Sequence, residues 1–197
     1  MVIDIGVGTY TAQTFSSSRY DLFYMQSQYH NCPSINGVDQ KAGEEFNSHE
    51  TNFKELPNQE GVYFQSNIVG AYPNTTQAKQ WIRSIEFNQT TSTVIITDQY
   101  ELVKFVAPQK LHFIIPEIIS IDKTVQGIHL YQRDKLVNVN MEFDWQLFNM
   151  EVEIKSLEHD HHLTNVWGEN VKRITLITND QYNQLKGVFS VRFSPAN

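Results

Sequence analysis

An all-β fold, an antiparallel two-sheet β-sandwich, is what this sequence predicts, and three observations predict it. Short alternating apolar and polar runs recur every 10–20 residues through the second two thirds of the chain. Polar turn residues such as Asn88-Gln89-Thr90 and Asn179-Asp180 separate them. Long helical patterning is absent; the best candidate, Thr75–Gln80, is too short and too rich in threonine to stand alone. Strands without intervening helices pack face to face in antiparallel sheets.

The elements follow in order. Val2–Ile5 reads as a strand that ends in a glycine turn. Gly43–Gly61 is polar and acidic and reads as the longest surface loop. In the next run Trp81, Arg83, Ile85 and Phe87 share one face and Ile82, Ser84, Glu86 and Asn88 the other. Asn88-Gln89-Thr90 then makes a hairpin turn into the β-branched run Thr91–Asp98. Strands are expected over Leu111–Ile115, Gly127–Tyr131, Lys135–Asn140, Phe148–Ile154, Val171–Thr178 and Gly187–Phe193, with a turn at Gln132–Asp134. The predicted core comprises Trp81, Ile85, Phe87, Val94, Ile96, Phe113, Ile115, Trp145, Ile174, Leu176 and Phe189. No composition shift divides the 197 residues, so one sandwich domain spans 1–197.

Composition narrows the function. Fifteen Lys+Arg against 22 Asp+Glu leave a net charge of −7, which argues against a free-standing nucleic-acid binder and against charge-driven docking on an anionic membrane. No apolar run approaches the ~20 residues of a membrane-spanning helix. A single cysteine, Cys32, excludes an intramolecular disulfide and a cysteine-based zinc site. The first residues carry no signal peptide. A chain opening in mid-strand is expected to be the C-terminal fragment of a longer enzyme. Its residues 2–6 would then present an unpaired apolar edge that invites self-association into a homo-oligomer.

Four clusters could carry chemistry. Gly6 and Gly8 suggest a phosphate loop, but the third glycine is missing and no helix follows, so a tight turn is the better reading. His159-Asp160-His161-His162 places His159 and His161 at a two-residue spacing; on a strand they would share a face and reach one metal ion. A solvated turn is the plainer reading. Asp4 is a carboxylate in an apolar strand and needs a cation, a hydrogen-bond network or solvent. His30 ends the aromatic run from Phe23 to Tyr29. Two ligands are too few for zinc, so no tightly bound metal is expected in this chain.

The segment Asp4-Ile5-Gly6-Val7-Gly8-Thr9-Tyr10, then Arg19-Tyr20, then His30-Asn31 and Ile35-Asn36-Gly37 through Gln40 resembles the heparinase II/III-like family of polysaccharide lyases. Trp81–Phe87, Val94–Tyr100 and Val166–Ile174 resemble later blocks of that family, more loosely. The resemblance implies the C-terminal sandwich of an α/α-toroid lyase, completing a cleft for β-elimination on a uronate-containing acidic polysaccharide. It implies that Asp4 and His30 are two ligands of a zinc or other divalent site in the full-length enzyme, the third lying in a His-x-His loop upstream. Tyr10, Arg19, His30 and Asn31 would stand near the shared catalytic site, the missing N-terminal toroid would be the main partner, and the setting would be periplasmic or secreted. This chain alone would not turn over substrate. The alternatives are a non-catalytic carbohydrate-binding or scaffold sandwich, or a domain of an oligo-alginate lyase.

Overall fold

The computed structural model describes residues 2–132 and 137–196. Among them eleven strands run β1 (His49–Glu55), β2 (Gly61–Asn67), β3 (Ala78–Asn88), β4 (Thr93–Leu102), β5 (Lys110–Pro116), β6 (Ser120–Thr124), β7 (Gly127–Tyr131), β8 (Asn138–Glu142), β9 (Phe148–Ser156), β10 (Asn170–Thr178) and β11 (Lys186–Pro195). One helix, α1 (His161–Trp167), joins β9 to β10. The strands form two antiparallel sheets, a large one in the order β1-β2-β3-β4-β11-β8-β7-β6 and a small one in the order β5-β10-β9. The fold is the all-β sandwich that the alternation predicts. Of the turn expected at Gln132–Asp134 only Gln132 is described; Arg133 and Asp134, and Lys135 and Leu136 at the start of the strand expected at Lys135, fall outside the described set.

The main core lies between the sheets. Leu111, Phe113 and Ile115 of β5 and Ile174 and Leu176 of β10 meet Trp81, Tyr100, Phe189 and Val191 of the large sheet. Trp81 stacks on Tyr100 with centroids 5.2 Å apart, and Phe148 and Tyr182 both meet Phe189. β5 is buried almost throughout because both of its faces are covered. Its other face carries Ile114, which joins a second cluster with Ile3, Ile5, Tyr24, Tyr29, Leu157, Leu163 and Val171. The N-terminal segment is therefore a third layer, laid over the outer face of the small sheet.

Several expectations change. Val2–Ile5 is not a strand; only Ile3 forms an isolated bridge, to Ile114 of β5. Its apolar residues are not an open edge either, because Ile3 and Ile5 are buried in the second cluster. Burying them against Ile114 removes the apolar surface that would have driven self-association. The expected acidic loop contains β1, an edge strand exposed at every position, so no burial pattern announced it. The segment around Asp160 is a helix start, not a strand or a plain turn: the Asp160 carboxylate caps α1 by accepting from the His162 and Leu163 amides. Ile85 and Phe87 share Trp81's face, as the alternation requires, yet both are more than a third exposed. Eight strands cannot be covered by three, and that end of the face is left bare. Val94, Ile96 and Trp145 are half-buried; the other predicted core residues are fully buried.

A buried ion pair crosses β3 and β4. Arg83 and Asp98 are register partners. The guanidinium grips the carboxylate at two points, Nε to Oδ1 and Nη2 to Oδ2, each at 2.8 Å. The Trp81 indole donates to the same carboxylate at 2.6 Å. Burial alone would lower the Arg83 pKa, but Asp98 beside it holds it above the ordinary arginine value. Removing Asp98 would leave a buried cation and an unpaired indole N–H. Asp98→Ala is expected to cost about 3–5 kcal/mol, read from urea denaturation; a variant as stable as the parent would contradict this account of the seam.

Candidate functional site

Asp4 and His30 lie 26 positions apart and meet in the fold. His30 Nδ1 stands 3.0 Å from Asp4 Oδ2 and 3.2 Å from Oδ1. Asp4 is held by its own turn, since the Gly6 amide donates to Oδ1 at 2.7 Å and Gly6 has φ 75°. His30 Nε2 faces the Tyr24 carbonyl at 2.9 Å. The Tyr24 carbonyl and the Asp4 carboxylate both only accept, so each contact is a hydrogen bond only when the ring nitrogen facing it carries a proton. The Asp4 side chain is 60% exposed and that of His30 28%. The carboxylate thus has both solvent and the His30 ring beside it.

Asn31 fixes this pair to the sandwich. It takes the left-handed conformation, φ 59°, which asparagine tolerates. Its side chain enters the Ile3–Ile114 bridge: Nδ2 donates to the Ile3 carbonyl at 2.9 Å and Oδ1 accepts from the Ile114 amide at 2.8 Å. Its own carbonyl accepts from Arg83 Nη1 at 2.6 Å. The His30-Asn31 dipeptide therefore ties the N-terminal segment, β5 and the large sheet together.

The other candidate residues stand apart from this pair. Tyr10 is exposed and packs on Phe15 at 5.7 Å between centroids. Arg19 stands 5.9 Å from the Tyr20 ring. Among the described residues no hydrogen bond or ion pair joins Tyr10 or Arg19 to Asp4 or His30. His159 and His161 do not share a strand face. His159 is 96% exposed beside Glu158, and His161 is the first residue of α1. No three His, Cys, Asp or Glu side chains among the described residues are placed to hold a metal. Zinc takes three or four protein ligands; Asp4 and His30 offer two, so they do not by themselves complete such a site.

Gly8 belongs to the same region for a reason other than phosphate. A Cβ there would come within 2.2 Å of Asp160 Oδ2 and 2.5 Å of the Tyr24 ring. A side chain at this position would have to displace both groups; with none there, Thr9 donates to Asp160 through both its amide, at 2.8 Å, and its hydroxyl, at 3.0 Å. Burial would raise the Asp160 pKa, but the bonds from Leu163, Thr9 and His162 hold it below the ordinary aspartate value.

Two buried polar networks escape sequence reading. Asn36, at φ 52°, donates through Nδ2 to the Thr76 and Lys104 carbonyls, accepts at Oδ1 from Val106 and Gln109, and its amide donates to Gln109 Oε1. Ser34 donates its hydroxyl proton to Asp39. His112 Nε2, 2.9 Å from Ser34 Oγ, must then be the donor, and Nδ1 accepts from Thr175 at 3.1 Å. The serine's proton points away from the histidine, which is the wrong polarity for an activated nucleophile. Their signal in the sequence was faint: His112 is one polar residue in the apolar run of β5.

No family model matches this chain, and no curated protein matches its sequence.

Burial first, and then the charges of Arg173, Lys110 and Arg83, push the His112 pKa down from 6.5 to about 3. The folded protein keeps this ring neutral where the unfolded chain would protonate it. The contribution to stability is complete above pH 6.5 and is lost as the pH falls from there toward 3, with a slope approaching ~1.4 kcal/mol per pH unit. Denaturation of the parent and of His112→Gln across this range measures it. The gap between them should change along that slope; parallel curves would refute the neutral ring.

Proposed function

We propose that this chain is the β-sandwich module of a heparinase II/III-like polysaccharide lyase, acting with an α/α-toroid domain on a uronate-containing acidic polysaccharide. The observation that carries the reading is the meeting of Asp4 and His30 at 3.0 Å, fixed by Asn31. These are the residues on which the sequence resemblance is tightest. A second observation supports a partner domain. The inner face of the large sheet runs on past the small sheet as a row of register partners, Phe53, Phe64 and Ile85, with Phe87 beside it. All four are exposed. Contiguous bare apolar surface of this kind marks an interaction face.

β-Elimination needs a base for the uronate C5 proton, a group that neutralises the carboxylate and an acid for the leaving oxygen, all within reach of one sugar. The Asp4–His30 pair does not supply that set. Its role in this reading is to shape and charge one wall of a cleft, while the partner domain brings the proton-transfer groups. A non-catalytic carbohydrate-binding sandwich is the second reading, favoured by the exposed rings of Tyr10, Phe15 and Tyr20.

The test is a β-elimination assay that follows the ultraviolet absorbance of the unsaturated uronate product. The chain alone should be inactive. The polypeptide that also carries the upstream toroid should cleave a uronate polymer, and Asp4→Asn or His30→Ala in it should lose about 10–100-fold. A gene that opens at Met1, or a longer polypeptide inert on heparin, heparan and alginate polymers alike, would overturn the lyase reading.

A further inference from the structure

An open groove of about 470 Å³ runs between the 3-10 turns around Tyr20–Gln28 and the segment Asp39–Ala42. Neither Asp4 nor His30 lines it. We infer that it is a subsite for a neutral pyranose unit of a glycan. The inference shares the carbohydrate element of the reading above but does not depend on the lyase chemistry.

A pyranose offers hydroxyls that each donate and accept, together with an apolar C–H face. Its recognition calls for planar side chains that present paired donors and acceptors in fixed directions, and for an aromatic ring nearby. The groove has both. Tyr20, about half exposed, lines it. Gln26 and Gln28 are locked by a directional relay. Glu153 pairs with Arg173 at 2.7 Å, Arg173 Nη1 donates to Gln28 Oε1 at 2.8 Å, Gln28 Nε2 to Gln26 Oε1 at 3.0 Å, and Gln26 Nε2 to the Tyr20 carbonyl at 3.0 Å. Arginine has no acceptor, so the orientation of both amides is determined from the Arg173 end. Each amide spends one of its two N–H bonds and one carbonyl lone pair on the relay. One donor and one acceptor per glutamine remain, already aimed before any ligand arrives, which lowers the ordering cost of binding.

Charge selects among sugars. Asp39 and Lys41 both line the groove and offset each other. Asp39 accepts from Ser34 at Oδ1, leaving Oδ2 as an acceptor for a hydroxyl. Lys41 lies over the Phe46 ring at 5.1 Å and is not ion-paired among the described residues. A chain of net charge −7 does not concentrate polyanions in a groove of balanced charge. The chemistry therefore fits a neutral sugar rather than a sulfated or uronate unit.

Backbone amide NMR titration of the intact chain tests this, with tetrasaccharides of glucose, mannose, galactose and xylose and with tetragalacturonate as the charged comparison. At least one neutral tetrasaccharide should shift resonances of residues 20–28 and 39–42, and should bind more tightly than tetragalacturonate. Tyr20→Ala and Gln26→Ala should each weaken it by about tenfold or more, with an otherwise parental spectrum showing that the fold survives. Asp4→Asn should bind as the parent does, which separates this site from the lyase reading. No shift with any neutral sugar, shifts confined to another surface, tighter binding of tetragalacturonate, or undiminished binding by Tyr20→Ala would each overturn the proposal.

Discussion

Arg83 carries a charge into the seam where two sheets and an irregular N-terminal layer meet, and the rest of the arrangement depends on how that charge is satisfied. Its side chain is 13% exposed and that of Asp98 only 1%. Three of its contacts are accounted for: two go to Asp98 and one to the Asn31 carbonyl. The first two fasten β3 to β4 beneath Trp81. The third reaches out of the large sheet to the segment that holds His30. A buried pair of this kind adds little net stability over an apolar pair of the same shape. What it adds is placement, because a guanidinium fork accepts its partners in few geometries.

The N-terminal layer is held by side chains doing what backbone does in a sheet. Residues 2–40 form no regular strand, only bridges at Ile3, Ser34 and Ile35 and a run of 3-10 turns. Asn31 stands in for a strand residue between Ile3 and Ile114, and Asn36 closes four hydrogen bonds with its amide group alone. Arg173, stacked 4.4 Å from the Tyr29 ring centroid, fastens the layer to β10. Burial pushes the Tyr29 hydroxyl up to about 12, so it remains a donor to Glu153 at neutral pH. Irregular backbone can be packed this tightly only where its polar groups find such substitutes.

The mismatch between eight strands and three shapes the surface. The small sheet covers the middle of the large one, where Phe189, Val191 and Tyr100 are fully buried. Beyond it the same face continues at Ile85, Phe64 and Phe53 with nothing over it among the described residues. The same alternation that buries Trp81 exposes Phe87, and the two differ only in their distance along β3 from the covering layer.

The sequence by itself determined the class of fold, the facing of β3 and, in Trp81, Phe113, Ile115, Ile174, Leu176 and Phe189, the centre of the main core, because a period of two is a local property and a hairpin needs only its own turn. The apolar run of β5 was also legible as a strand, although only the structure shows both of its faces covered. Tertiary structure decided the rest. That Val2–Ile5 would be a bridge and not a strand depended on Asn31, 28 positions beyond Ile3. That Asp160 would start a helix and receive Thr9 depended on a glycine 152 positions earlier, small enough to let the chain pass. β1 carried no alternation of burial to read, since an exposed edge strand is held by its backbone. The proximity of Asp4 and His30 was readable only through a resemblance; the physical cause, a bond from Asn31 across to β5 and from Arg83 to Asn31, joins residues too far apart in sequence for any local pattern to record.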